Sequence, residues 1–303
     1  MRAPFDALSP VMRGCLLMLA STVLFASMHA LIRYATQRLP PVEVAFFRNL
    51  FGMLVILPLL LRMGPSIFRT NRFGRHVSRA LINVGSMLCF FNGLATTPIA
   101  RATALAFTAP LFTALLSVLF LGEVFRWRRW TAIAVGFIGT LIILRPGLSE
   151  VATGDLLVLA SSMLWSLAMI EIKLLGRTES SITITAYVTL LMTPLTLIPA
   201  LFVWQTPSAD LWIWLVLIGV LGTLGQIAVT EALLLADTTV VMPFDFLKLI
   251  WATALGMIIF AEMPDALTYV GAEMVFASTF FIAWREARLR RAAAAAAKDA
   301  ETS

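Results

Sequence analysis

Leu19-Ala20-Ser21-Thr22-Val23-Leu24-Phe25 returns, 140 positions later, as Leu159-Ala160-Ser161-Ser162-Met163-Leu164-Trp165. The same offset sets Arg33 against Lys173. An offset of 139 sets Leu121-Gly122-Glu123 against Phe260-Ala261-Glu262, and Asn92 against Glu231. Each copy lies in an apolar run, and a helix needs roughly 17–25 apolar residues to cross hydrocarbon. Such runs occur near 12–35, 42–61, 79–96, 99–121, 127–144, 155–175, 182–203, 211–235, 238–261 and 265–284. Thr96-Thr97-Pro98 forms a tight turn between the third and fourth, and the eighth and ninth join around Asp237. Five runs per half is an odd number, so the second half enters the membrane from the opposite side. The fold class is all-α integral membrane: ten transmembrane helices as two inverted five-helix repeats. The repeats span 1–148 and 149–288, followed by a basic, Ala-rich tail over 289–303. Inverted repeats place a substrate site near the midplane and let the halves rock around it.

Composition agrees. Hydrophobic residues make up 60% and charged residues 13% of 303 positions, against roughly 45–50% and 25% in soluble domains. So little charge cannot cover a water-facing surface. Basic residues gather between the runs rather than on one amphipathic face, which argues against nucleic acid despite the net charge of +6. With the N-terminus inside, only Arg33, Arg38, Arg101 and Arg145 fall on the opposite side, and Arg48 and Lys248 lie within spans. That bias predicts both termini in the cytoplasm and a multi-pass protein of a bacterial inner membrane. The first run continues past His29 without a cleavage site, so it is not a signal peptide. Cys15 and Cys89 lie in apolar runs and suggest neither a disulfide nor a metal site. The Ala292–Ala297 tail extends a helix beside an anionic membrane face.

Pro98-Ile99-Ala100-Arg101-Ala102 leads into Phe107-Thr108-Ala109-Pro110-Leu111-Phe112-Thr113-Ala114, ends in Phe120-Leu121-Gly122-Glu123, and is followed by Trp130. This resembles the fourth helix of the EamA-type, ten-helix branch of the drug/metabolite transporter superfamily. Pro41-Val42-Glu43-Val44-Ala45-Phe46-Phe47-Arg48 resembles the second helix of that branch. The second half departs from the pattern, with Leu249 opposite Pro110 and Val188 opposite Arg48. The resemblance implies export or exchange of amino acids, nucleosides, drugs or related metabolites.

Ionisable groups inside a bilayer are costly and face a partner or a cavity. Asp245 and Lys248 are three apart and can pair; they form a packing salt bridge, or else a site for an amino group and a carboxylate, or a gate. Glu231 and Gln226, with Asn92 and Asn83, serve as helix glue or, through a buried Glu231 facing Asn92, as a proton-coupling route. His29 is a packed side chain or a proton carrier. Phe25, Phe90, Phe107, Trp165, Phe244 and Trp251 could wall a cavity for aromatic solutes. Arg48 reads as a snorkelling side chain, and Gly219, Gly222 and Gly225 as close-contact positions. Two histidines, with no HExxH or GxSxG, leave little for an enzyme. No Walker pattern supports ATP drive, and no cofactor is expected. A channel would want a ring of like residues from an oligomer. The reading is a secondary transporter of amino-acid-sized solutes, aromatic ones among them, by alternating access, with a multidrug exporter as the alternative. Its partners are a small-molecule substrate and membrane lipid; proton coupling and the choice of monomer or homodimer stay open.

Overall fold

The computed structural model describes residues 8–64, 69–121, 127–146, 152–236 and 238–302. The first half supplies α1 (Pro10–Ala35), α2 (Pro41–Met63), α3 (Phe73–Thr96), α4 (Ile99–Ala106), α5 (Ala109–Leu121) and α6 (Trp127–Leu144). The second supplies α7 (Thr153–Leu175), α8 (Ser181–Leu201), α9 (Trp212–Leu235), α10 (Thr238–Asp245), α11 (Leu247–Phe260) and α12 (Ala266–Thr302). Eight stretches are long and apolar enough to cross a membrane; shorter apolar helices at Trp130–Leu144 and Ala266–Ile282 bring the spans to ten. The piece count is higher because α4 and α5 form one interrupted span, and α10 and α11 another. The turn at Thr97-Pro98 stands where the sequence puts it. The junction at Asp237 lies outside the described residues.

One boundary moves. Sequence reasoning starts the third span at 79, yet α3 begins at Phe73 and carries two basic residues into the packed region. Both are accommodated: Arg79 Nη1 donates to the Ile184 carbonyl at 2.7 Å, and the His76 ring stacks on Tyr187 at 4.3 Å. A carbonyl partner makes burial of a guanidinium tolerable.

Helix contacts come in pairs exchanged by swapping the halves: α1 lies along α9 as α3 lies along α7, and α6 lies along its own counterpart α12. Small residues permit the approach. Gly14 sits beside Ala232 and Ala236, while Gly222 and Gly225 sit beside Met28 and Phe25, so α1 and α9 run antiparallel. Gly93 likewise meets Gly154 and Val158, and Ser86 Oγ donates to the Ser161 carbonyl at 2.9 Å. Across α6 and α12, Gly139 meets Gly271.

Both interruptions have a local cause or compensation. Pro110 has no N–H to donate and disfavours helix just before it, so the chain breaks at Phe107 and Thr108. Thr108 Oγ1 donates to the Leu105 carbonyl at 2.7 Å, and Ser166 Oγ of α7 donates to the Ala109 carbonyl at 2.7 Å. Those side chains satisfy backbone groups that lipid could not. The second break, at Phe246, follows Pro243. Phe107 and Phe246 are repeat partners at offset 139, and their rings pack 4.5 Å apart. The two interruptions therefore meet.

Candidate functional site: a chamber closed at one end

At the end of the molecule opposite the start of α1, here the far end, charged pairs join helices from both halves. Arg33 of α1 pairs with Glu262 at 2.8 Å and donates Nη1 to the Leu94 carbonyl of α3 at 2.8 Å. Glu262 Oε2 accepts the Ile99 N–H of α4 at 2.8 Å. Arg101 of α4 pairs with Asp155 of α7 at 2.7 Å, Arg38 with Asp210 at 2.6 Å, and Arg145 with Asp265. All four arginines that the sequence places on this side thus hold a carboxylate. Contact between α1 and α3, α1 and α4, and α4 and α11 accompanies them. Swapping the halves turns these into α7 with α9, α7 with α10, and α5 with α10. Among the described residues those pairs make no more than slight contact. The pseudo-symmetry is broken: the far end is drawn together, and the terminal end is parted between α7 and α9.

Side chains facing that parting bear the mark of an internal space. Trp165 follows buried Ser162, Ser161 and Val158 by three, four and seven residues, so it lies on the packed stripe of α7, yet it is 45% exposed. Such exposure on a packed stripe marks a gap in the packing beside α7. Gln226 repeats the pattern on α9, four residues after buried Gly222 and itself exposed. Deeper in, His29 packs on Phe90 with ring centroids 4.9 Å apart. Lys248 Nζ stands 5.0 Å above the Phe107 ring and 3.4 Å from Asp245. Trp251 Nε1 donates to Thr22 Oγ1 at 3.2 Å, tying α11 to α1. Asn83 is buried with its Oδ1 unpartnered.

The sequence profile of the EamA-like transporter family matches residues 12–145 and again 152–284. This chain belongs to the EamA-like transporter family. It is 33% identical over 286 residues to a riboflavin transporter of Vibrio cholerae, covering 92% of this chain and 96% of that one. It is 32% identical to an S-adenosylmethionine uptake transporter of Rickettsia felis, over 93% and 96% of the two chains. A pseudopaline exporter of Pseudomonas aeruginosa is 29% identical over 86% and 93%. One solved crystal structure shares the fold at a TM-score of 0.62 and 18% identity, covering 91% of this chain and 98% of that one. The chain is therefore a multi-pass membrane transporter and not an enzyme.

In this EamA-like transporter the sequence-derived residues divide into three groups. Contacts join His29 to Phe90, and Lys248 to both Asp245 and Phe107; Trp165 and Gln226 are exposed on α7 and α9, and Asn83 shares α3 with Phe90. Phe25 and Trp251 make inter-helix contacts: the Phe25 ring covers Gly225 and Trp251 holds Thr22. Phe244 packs with Met18, Ala232 and Val241 where α1 meets α9 and α10 at the terminal end, away from the chamber.

Two expectations need correction. Glu231 is exposed, one turn after Ile227 and just before Leu234, which are 41% and 76% exposed. It sits on the lipid-facing side near the end of α9 and is not buried. Nor does it face Asn92, whose Nδ2 donates to its own helix at the Leu88 carbonyl, 2.7 Å away. The reason is geometric: repeat partners near helix ends are carried by an in-plane axis to opposite faces of the membrane. Arg48 is the second correction. Its guanidinium reaches Gly222, mid-way along α9, and does not snorkel to the interface. Phe246 went unnoticed, although the offset of 139 from Phe107 points to it.

Proposed function

We propose that this transporter carries small solutes bearing a planar aromatic ring system, by alternating access between two five-helix halves. The observation that carries this reading is Trp165, accessible on an otherwise packed stripe, with Phe90 and the Phe107–Phe246 pair farther in. Flat rings bury large areas against such walls. The relatives named for riboflavin and S-adenosylmethionine support it, since both names denote solutes with planar heteroaromatic rings. A solute enters between α7 and α9, lodges against these aromatics, and leaves when α7 closes on α9 as α1 releases α3. The bacterial relatives support placement in the cytoplasmic membrane, and the neutralised far-end arginines support termini on the cytoplasmic side.

Export or exchange of aromatic amino acids is the second reading. It is favoured by the adjacent opposite charges of Asp245 and Lys248, which match a zwitterion. Relatives named for uptake and for export leave direction to the gradients. Purified protein in liposomes should take up labelled riboflavin, S-adenosylmethionine or tryptophan saturably, and Trp165→Ala should cut that uptake about tenfold, in line with loss of an aromatic contact. Uptake of non-aromatic solutes alone, or an unchanged Trp165→Ala, removes the aromatic reading.

A further inference from the structure

Arg48, like Arg79, lies deep in the fold with no carboxylate partner among the described residues, but Arg79 is buried on the Ile184 carbonyl whereas Arg48 keeps accessible surface. Its guanidinium lies between α1, α2 and α9, where a side chain on Gly222 would press within 3.3 Å of Nε and 3.4 Å of Nη2. The residue retains some accessible surface despite that depth. Its one hydrogen bond among the described residues runs from Nη1 to Asn49 Oδ1 at 3.0 Å. The nearby acids are engaged elsewhere through at least one oxygen, Glu43 keeping a buried Oε2 without a partner. Glu43 Oε1 accepts the Gln205 N–H at 2.6 Å, Asp155 holds Arg101, Glu262 holds Arg33, and Asp245 holds Lys248. Among the described residues, Arg48, Lys248, Asp245 and His29 thus place two cations, one carboxylate and an imidazole within the spans.

An unmatched charge at that depth is expensive. The far-end arginines show how this chain meets the cost when it wants only structure: it supplies a carboxylate. For Arg48 it supplies none, and Gly222, with Met28 beside it, lets the guanidinium lie close along α9. We infer that Arg48, over Gly222, is the seat for a carboxylate of the transported solute. The inference rests on the transport reading and adds a charge requirement to it. A guanidinium fork matches a carboxylate through two parallel hydrogen bonds. A phosphate monoester carries about twice the charge and would need a second free cation, but Lys248 is engaged by Asp245. The ring would then lie toward Trp165 and Phe90, with the acid group deepest.

The test uses two probes that differ only at the acid, indole-3-acetate and indole-3-acetamide. Binding to the purified full chain is read by thermal shift and by competition with labelled solute. We expect the wild type to prefer the acid about tenfold, the scale of a charged hydrogen bond. Arg48→Gln should lose that preference while still binding the amide, which shows that the variant is folded. Arg48→Lys should keep part of it, and Gly222→Ala should weaken the acid more than the amide. Equal binding of both probes to the wild type, or a preference that survives Arg48→Gln, overturns the seat and leaves the aromatic chamber standing. If neither probe binds, the seat and the aromatic reading fall together.

Discussion

Asp265 shows how one side chain sets both the start of a helix and its sensitivity to pH. Its Oδ1 accepts the Thr268 N–H at 2.8 Å, capping α12, and it also holds Arg145. Burial pushes its carboxyl up, but the Thr268 and Arg145 interactions outweigh that and leave it below the ordinary carboxylate value. A depressed folded value means stability that is fully present above the unfolded value, about 3.9, and lost as pH falls through the lower folded one. The cap is worth about 1 kcal/mol, and the half-exposed ion pair adds little. Asp265→Ala should therefore lower the melting temperature in detergent at pH 7, and the gap should narrow below about pH 4. A gap constant from pH 7 to pH 3 would show that the charge contributes nothing. At this scale the sequence spoke unevenly. His29 stands out because an ionisable side chain is rare inside an apolar span, and Trp165 because the repeat sets it opposite Phe25. Arg48 was misjudged because depth is a property of three packed helices, and no periodicity along α2 reports it.

For whole elements, legibility followed chemistry that is local. The break between α4 and α5 is foreshadowed by Pro110. Its counterpart has Leu249 at the matching position and breaks regardless, three residues after Pro243. The start of α3 was missed because His76 and Arg79 look like solvent-facing charges until Tyr187 and the Ile184 carbonyl arrive from α8. Close packing of α6 on α12 is equally invisible in either helix alone. A Cβ on Gly139 would stand 2.7 Å from the Gly271 carbonyl oxygen and 2.7 Å from Met274 Cβ, both on rigid helix. Overpacking of this kind costs typically 1–3 kcal/mol. Gly139→Leu should thus reduce thermal stability by several degrees, whereas Gly74→Ala, with nothing within 4 Å of the added Cβ, should not. Equal melting of the two variants would mean that α12 adjusts without cost.

The architecture of the whole molecule was the most legible of all, because parity, charge placement and internal likeness are global sums that tolerate local error. What could not be read is which end is shut. Repeat arithmetic predicts both orientations and gives no preference. The preference comes from Arg33, Glu262 and the Ile99 N–H meeting across the two halves. Weakening that junction should shift the population. In a background with Cys15→Ser and Cys89→Ser, a cysteine placed by Phe90→Cys should become labelled by an impermeant maleimide from the far side when Glu262→Gln is added. No change in labelling would show that apolar packing alone holds the far end.

The two rims are charged to different degrees: four arginine–carboxylate pairs tie the far one, whereas among the described residues the terminal one carries Arg75 on Glu171 at 3.5 Å. A carrier so built is kinetically rectified. Its half-saturation concentration and its maximal flux differ between the two sides of the bilayer, in proportion, so that no net flow arises at equilibrium. Salt, which screens charges but scarcely touches apolar contacts, then acts on the two rims unequally. The ionic strength of a single compartment would alter how hungry the transporter is from each side without altering where its gradient comes to rest.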